Sequence, residues 1–218
     1  MSNDIIGRYL QASQGNEDGA QGASMEVDIN AFIPSLQQKG RLHALRVISR
    51  VGRISYRVLG FQGSNTVKSQ VIARYLQAEQ KGQNDPKLAI TPANYKFRFR
   101  GERIDDTGRH VYVFLVVPRT AEFGRFKGEV WLDVSSCLPI YERGRLVKNP
   151  SVFFKQIDFE RAFSIESGRA VPEHMSSVIT TRVVGRVELD INYSNYAQLA
   201  EDEGDTESLV PTINLSSN

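Results

Sequence analysis

A single cysteine, Cys137, is present in the 218 residues, so the chain cannot close a disulfide on itself. That leaves the compartment open, because many exported proteins carry no disulfide. Histidines are few as well. His43, His110 and His174 lie far apart, and none belongs to the short-spaced groups of His, Cys or carboxylate that zinc sites need. Cys137 has no Cys-x-x-Cys partner and no histidine near it in sequence. Glycine-rich phosphate loops and nucleophile elbows are missing. No apolar run approaches the about 20 residues of a membrane-spanning helix. No basic leader with an apolar stretch opens the chain, so it is either cytoplasmic or a mature form whose leader was removed. These absences give the expectation of a protein that is no enzyme and holds no metal or cofactor.

What is present fits an ordinary folded chain. Hydrophobic residues make up 40% and charged residues 24%, which excludes wholesale disorder. A chain of this length buries a sizeable core without covalent staples. The formal net charge is +2, and the run Glu201-Asp202-Glu203-Gly204-Asp205-Thr206-Glu207 makes the rest more basic than the total implies. Residues 1–198 are expected to form a single domain, and 199–218 an acidic, flexible tail.

Apolar residues alternate with polar ones through most of the chain. Met25, Val27, Ile29 and Ala31 alternate with Glu26, Asp28 and Asn30, as in a strand with one wet face. Two strands are expected over 42–51 and 53–61, turning at Gly52. From Tyr95 onward the pattern is wholly β. Tyr95, Phe97 and Phe99 alternate with Lys96, Arg98 and Arg100, and Val111 to Val117 is apolar on both sides. Two helices interrupt this. A short one opens the chain at Asp4–Ala12, followed by a glycine-rich loop over 14–23. A longer one over 64–81 carries the stripe Val67, Val71, Ile72 and Tyr75, with Ser64, Asn65 or Thr66 as its cap.

Strands joined by short connections pair antiparallel as a meander. The expected fold is therefore mainly β (α+β), a long curved antiparallel sheet forming a half-barrel, with a few helices covering the concave face. Interleaved Lys96, Arg98 and Arg100 with aromatics does not indicate nucleic-acid binding, because the two sets point to opposite faces. Asp105 and Asp106 sit in a glycine-containing turn, where aspartate serves local hydrogen bonding. A transmembrane barrel is disfavoured by the charged helix over 64–81.

The stretch from Tyr95 to Phe114, then Phe126-Lys-Gly-Glu-Val-Trp-Leu-Asp133, a turn, and Leu138-Pro139, resembles outer-membrane lipoprotein-sorting proteins of the LolA-like superfamily. Residues 152–159 and 187–193 extend the likeness. It implies a periplasmic half-barrel whose lidded apolar face receives the acyl chain of a lipoprotein or lipid, without catalysis. A regulatory protein of the same fold, sensing such a ligand and acting on a membrane-anchored protein partner, is the alternative.

Together with the excess of apolar stripe on helix and sheet, the resemblance nominates an apolar cavity lined by Val67, Val71, Tyr75, Phe97, Phe99, Tyr112, Phe114 and Trp131. Tyr95, Phe153 and Phe154 belong to the same concentration of aromatics. For each aromatic taken singly, plain core packing is the competing assignment.

Overall fold

The structure, a computed structural model, describes residues 2–82, 85–149, 152 and 154–199. Phe153 and the acidic tail from residue 200 lie outside the described residues.

Period-two alternation sets the first strand. β1 (Ala23–Ile33) buries Ala23, Met25, Val27, Ile29, Ala31 and Ile33 and turns the intervening residues the other way. β2 (Gln38–Ile48) and β3 (Ile54–Gly63) follow as antiparallel neighbours. After the helical segment come β4 (Tyr95–Ile104), β5 (His110–Pro118), β6 (Phe126–Asp133), β7 (Pro139–Leu146), β8 (Phe154–Glu166), β9 (Arg169–Thr181) and β10 (Arg186–Gln198). All ten make one sheet in the order β3-β2-β1-β10-β9-β8-β7-β6-β5-β4, and every neighbouring pair is antiparallel. The expected meander from Tyr95 onward is the one observed. β10 returns beside β1, leaving β3 and β4 as the two unpaired edges of an open sheet.

Helices cover one face. α1 (Ser2–Ala20) precedes the sheet. Between β3 and β4 run α2 (Asn65–Val67), a π turn (Lys68–Ile72) and α3 (Ala73–Gly82), continuous along the chain. Ser64 stands at the N-cap but gives no side-chain cap bond, because its hydroxyl donates to the Gln38 side chain at 3.0 Å.

α1 is longer than the sequence suggests, running through the segment expected to be a glycine-rich loop. Glycines lower intrinsic helix propensity, but tertiary bonds hold this helix along its length. Arg8 donates to the Val134 and Ser135 carbonyls at 3.2 and 3.0 Å, and the Asn16 side chain accepts from the Ala170 N–H at 2.7 Å.

The main core lies between helices and sheet, from Ile5 and Tyr9 of α1 across Val27, Ile29 and Ile191 to Val67, Ile72 and Leu76. Each fully buried aliphatic side chain of this kind contributes about 1.5–3 kcal/mol. Val111, Val113 and Ile140 form a second, smaller cluster with Trp131 and Ile165. This explains the doubly apolar run in β5. Tyr112, Phe114 and Val116 join the helix-covered core, and Val111 and Val113 join the cluster on the open face.

Candidate ligand-binding face

Apolar parity brings most of the nominated residues together. Val67 is fully buried, Val71 nearly so, and Tyr75 packs partly buried against the same core. From the opposite edge, Phe99 stacks against Phe114 and Tyr112 with ring centroids 5.2 and 6.0 Å apart, and Phe97 meets Tyr9 of α1 at 6.4 Å. Edge-to-face and tilted pairs of this kind contribute about 0.5–1.5 kcal/mol beyond area burial.

Trp131 is the exception. It pairs across the strands with Val113 and Tyr141, its ring centroid 5.2 Å from that of Tyr141, so it belongs to the open face. The neighbouring Val130, opposite Phe114, takes the helix-covered side. Adjacent residues of a strand point to opposite faces, so grouping Trp131 with Phe97 and Phe99 is corrected by one position of register.

Beneath α3 lies a polar lock absent from the sequence expectations. Arg46 of β2 occupies an apolar-parity position, following Leu42 and Ala44, and is buried. Its Nε and Nη2 donate to one carboxylate oxygen of Glu79 at 3.1 and 2.9 Å, and the Tyr56 hydroxyl donates to the other. Burial works to lower the Arg46 pKa, but Glu79, with smaller contributions from Tyr56 and Tyr193, carries it upward. Burial and then Glu79 push Tyr56 well above the ordinary tyrosine value. Next to this lock, the Tyr75 and Tyr193 hydroxyls lie 3.3 Å apart, and Tyr75 donates to the Met175 sulfur at 3.7 Å.

A second charged group sits on the same face. Glu142 of β7 is buried opposite Val130, and burial raises its pKa although Arg161, 3.6 Å away, pulls it down. Arg161 is 46% exposed while its strand neighbour Phe159 and cross-strand partner Met175 are buried. Its guanidinium lies over the Phe159 ring at 4.8 Å. Arg161 therefore reaches solvent at a margin of the helix-covered face.

Two hollows of about 570 and 490 Å³ lie on the open face. Asn30, Lys39, Arg41 and Asp190 are among the residues lining the first, with Phe32, Val178 and Leu189, and Lys127, Glu129, Arg145 and Asp158 line the second with Leu115, Phe159 and Val178, so both mix charged groups with apolar surface. The apolar side chains of the helix-covered face pack against one another, from Ile5 and Tyr9 to Leu76 and Phe114. Cys137 is buried at the β6–β7 turn, and burial raises its thiol pKa. Such a thiol has little thiolate to offer as a nucleophile. His43 lies 3.6 and 3.5 Å from Glu26 and Asp28, and His174 lies 2.8 Å from Asp190. His110 lies 3.1 Å from Glu102. The three histidines sit in separate pairs, and among the described residues no group of three metal-binding side chains forms.

An open ten-stranded antiparallel half-barrel with helices on one face is the mainly β architecture anticipated from the sequence. No family model matches the chain, and no curated protein does. Solved structures do. A DUF1329 family protein from Desulfovibrio piger superposes with a TM-score of 0.51 at 12% identity, over 95% of this chain and 98% of that one. The lipoprotein-sorting protein domain from Vibrio parahaemolyticus gives 0.46 at 13% identity, over 90% and 94%. A LolA superfamily protein from Nitrosomonas europaea gives 0.42 at 11%, over 90% and 94%. At these identities the likeness is one of fold alone. Among the described residues no helix is long and apolar enough to cross a membrane.

Proposed function

We propose that the chain is a periplasmic, non-catalytic binding protein that carries the acyl chain of a lipoprotein or lipid between its helix layer and its sheet. The observation that supports this most is the composition of the helix-covered face. Apolar and aromatic side chains from both ends of the sheet converge there on a helical segment tied to β2 and β3 by a polar lock. Because the face is packed with its own side chains, an acyl chain enters as the helix moves aside. Occupation then exchanges one set of apolar contacts for another. The margin at Arg161 gives the place to start, with the guanidinium meeting an anionic headgroup while the chain passes Phe159 and Met175.

Binding of a fluorescent fatty-acyl probe tests this, with folding followed by circular dichroism. Wild type is expected to bind. Phe99→Glu places an unpaired charge in an apolar site and is expected to abolish binding. Trp131→Phe, on the other face, is expected to leave it unchanged. A folded wild-type protein that takes up no probe removes the carrier function and leaves a protein-interaction module.

A further inference from the structure

Strand polarity places four turns along one rim of the half-barrel: β1–β2, β9–β10, β7–β8 and β5–β6. Each carries one exposed large apolar side chain. Leu36 is 46% exposed, Val183 76%, Val152 79% and Phe123 51%. The turns are fastened to one another in that order. The Ser35 hydroxyl donates to the Val184 carbonyl at 2.6 Å, Arg182 donates to the Val152 carbonyl at 2.8 Å, and Lys148 lies 4.2 Å from the Phe123 ring centroid. The loop before β4 joins the same rim, where Arg125 donates to the Lys87 carbonyl at 2.7 Å. The four tips are thus held by a continuous scaffold.

Between the tips the rim is basic. Lys39, Lys87, Arg119, Lys148, Lys155 and Arg182 are exposed there, against Asp85 and Glu122 as the exposed acids of the same loops. The opposite rim differs. Its turns carry Asp105, Asp106, Asp133 and Glu166 among their arginines, with Val51 and Ile104 as exposed apolar tips.

We propose that the basic rim docks the protein on an anionic lipid surface. The four tips enter the headgroup boundary and the lysines meet lipid phosphates. Single apolar side chains separated by cations suit a bilayer interface, where each tip inserts independently. A protein interface instead presents a contiguous apolar centre depleted of lysine. The charge difference between the rims orients the molecule, since each basic side chain near an anionic surface is attracted to it and the opposite rim offsets its arginines with carboxylates.

Sedimentation with vesicles of phosphatidylethanolamine and phosphatidylglycerol, compared with pure phosphatidylcholine vesicles, tests the proposal on the full chain. Wild type is expected to bind the anionic vesicles and to bind the neutral ones at least tenfold more weakly. Two variants are each expected to lower anionic-vesicle binding at least tenfold. One joins Leu36→Ser, Phe123→Ser, Val152→Ser and Val183→Ser, and the other joins Lys87→Glu, Lys148→Glu and Lys155→Glu. Val51→Ser with Ile104→Ser on the opposite rim is expected to bind as wild type. Absence of wild-type binding, or an equal loss in the opposite-rim variant, overturns the proposal. Acyl-probe uptake by the same rim variants separates this outcome from the carrier function, because none of their substitutions touches the helix-covered face.

Discussion

Replacing Glu79 by alanine leaves the Arg46 guanidinium with the Met25 sulfur, at 3.8 Å, as its remaining contact within the lock, and it strips the Tyr56 hydroxyl of its acceptor. The Arg46 side chain is 9% exposed and that of Glu79 21%, so water cannot fully replace what is lost. Two charges about 3 Å apart attract by about 5 kcal/mol at an effective dielectric constant near 20. Partial exposure of Glu79 reduces that figure, while the orphaned Tyr56 hydroxyl adds about 1–3 kcal/mol of unsatisfied burial. Breaking one side of a buried pair costs about 3–5 kcal/mol in comparable cases, and the same loss is expected here.

The double variant Arg46→Met with Glu79→Leu removes both charges and fills the volume. It is expected to recover the part of the loss due to the unpaired guanidinium and to keep only the cost of the orphaned Tyr56 hydroxyl, about 1–3 kcal/mol, since an apolar replacement of a buried pair is itself often neutral. Urea unfolding followed by the fluorescence of Trp131, the single tryptophan, measures both. A Glu79→Ala loss below about 1 kcal/mol, or a double variant as damaged as Glu79→Ala, refutes the view of the cluster as a buried lock.

Four other outcomes follow from particular contacts. Burial raises the Glu142 pKa, so ionisation costs the folded state and the strain-free condition lies at low pH. Glu142→Gln is therefore expected to stabilise at pH 7–8, with the gain vanishing below the unfolded carboxyl pKa of about 4.3, as read by urea midpoints against pH. Tyr56, Tyr75 and Tyr193 all have raised pKa values, burial being the first cause of each. Their stabilisation is complete below the unfolded tyrosine value of about 10 and is lost as pH rises through the folded values, so unfolding and tyrosinate absorbance should appear together in the alkaline range. A Cβ on Gly144 would meet the Phe126 ring at 2.5 Å and the Lys127 carbonyl at 2.6 Å, whereas one on Gly7 of α1 meets nothing. Thermal melts should show Gly144→Ala losing about 1–3 kcal/mol and Gly7→Ala gaining up to about 1 kcal/mol. Arg161→Ala should weaken a carboxylate-bearing acyl probe more than its methyl ester, measured by fluorescence titration.

Much of the sheet was legible because period-two alternation is a direct consequence of one buried face. Asp133 shows why the Trp131-to-Pro139 stretch reads so clearly. Its carboxylate accepts from the Ser135 and Ser136 N–H groups and the Ser136 hydroxyl, which makes the β6–β7 turn a local feature. The Asp105 turn is equally local, with that carboxylate accepting from the Thr107 and Arg109 N–H groups. What could not be read depended on distant partners. The pairing of β10 with β1 joins segments at opposite ends of the chain, and nothing in either strand names the other. The extent of α1 rests on Val134, Ser135 and Ala170, all remote from it. The face taken by Trp131 turned on a single residue of register. A bulge between Trp131 and Leu132 shows how easily parity is interrupted in this strand.

A signal for one of the two polar groups of the helix-covered face does exist in the sequence. Arg46 follows Leu42 and Ala44 at even spacing and puts a charge where the pattern calls for an apolar residue, whereas Glu142 takes its face from Val130 across the strand, the preceding Ile140 belonging to the open-face cluster. The two are resolved in opposite ways. Arg46 meets a carboxylate at 2.9 Å and its net pKa shift favours the charged form, so the pair supports the fold. Glu142 meets a partly exposed arginine at 3.6 Å and its net shift favours the neutral form, so its charge works against the fold. That carboxylate lies beside a partly exposed arginine at the margin of the helix-covered face. Pairing with Glu142 fixes the Arg161 guanidinium over the Phe159 ring, at the margin where apolar face and solvent meet. An acyl ligand presents the same division between apolar chain and polar head, which is why this margin is where binding would begin.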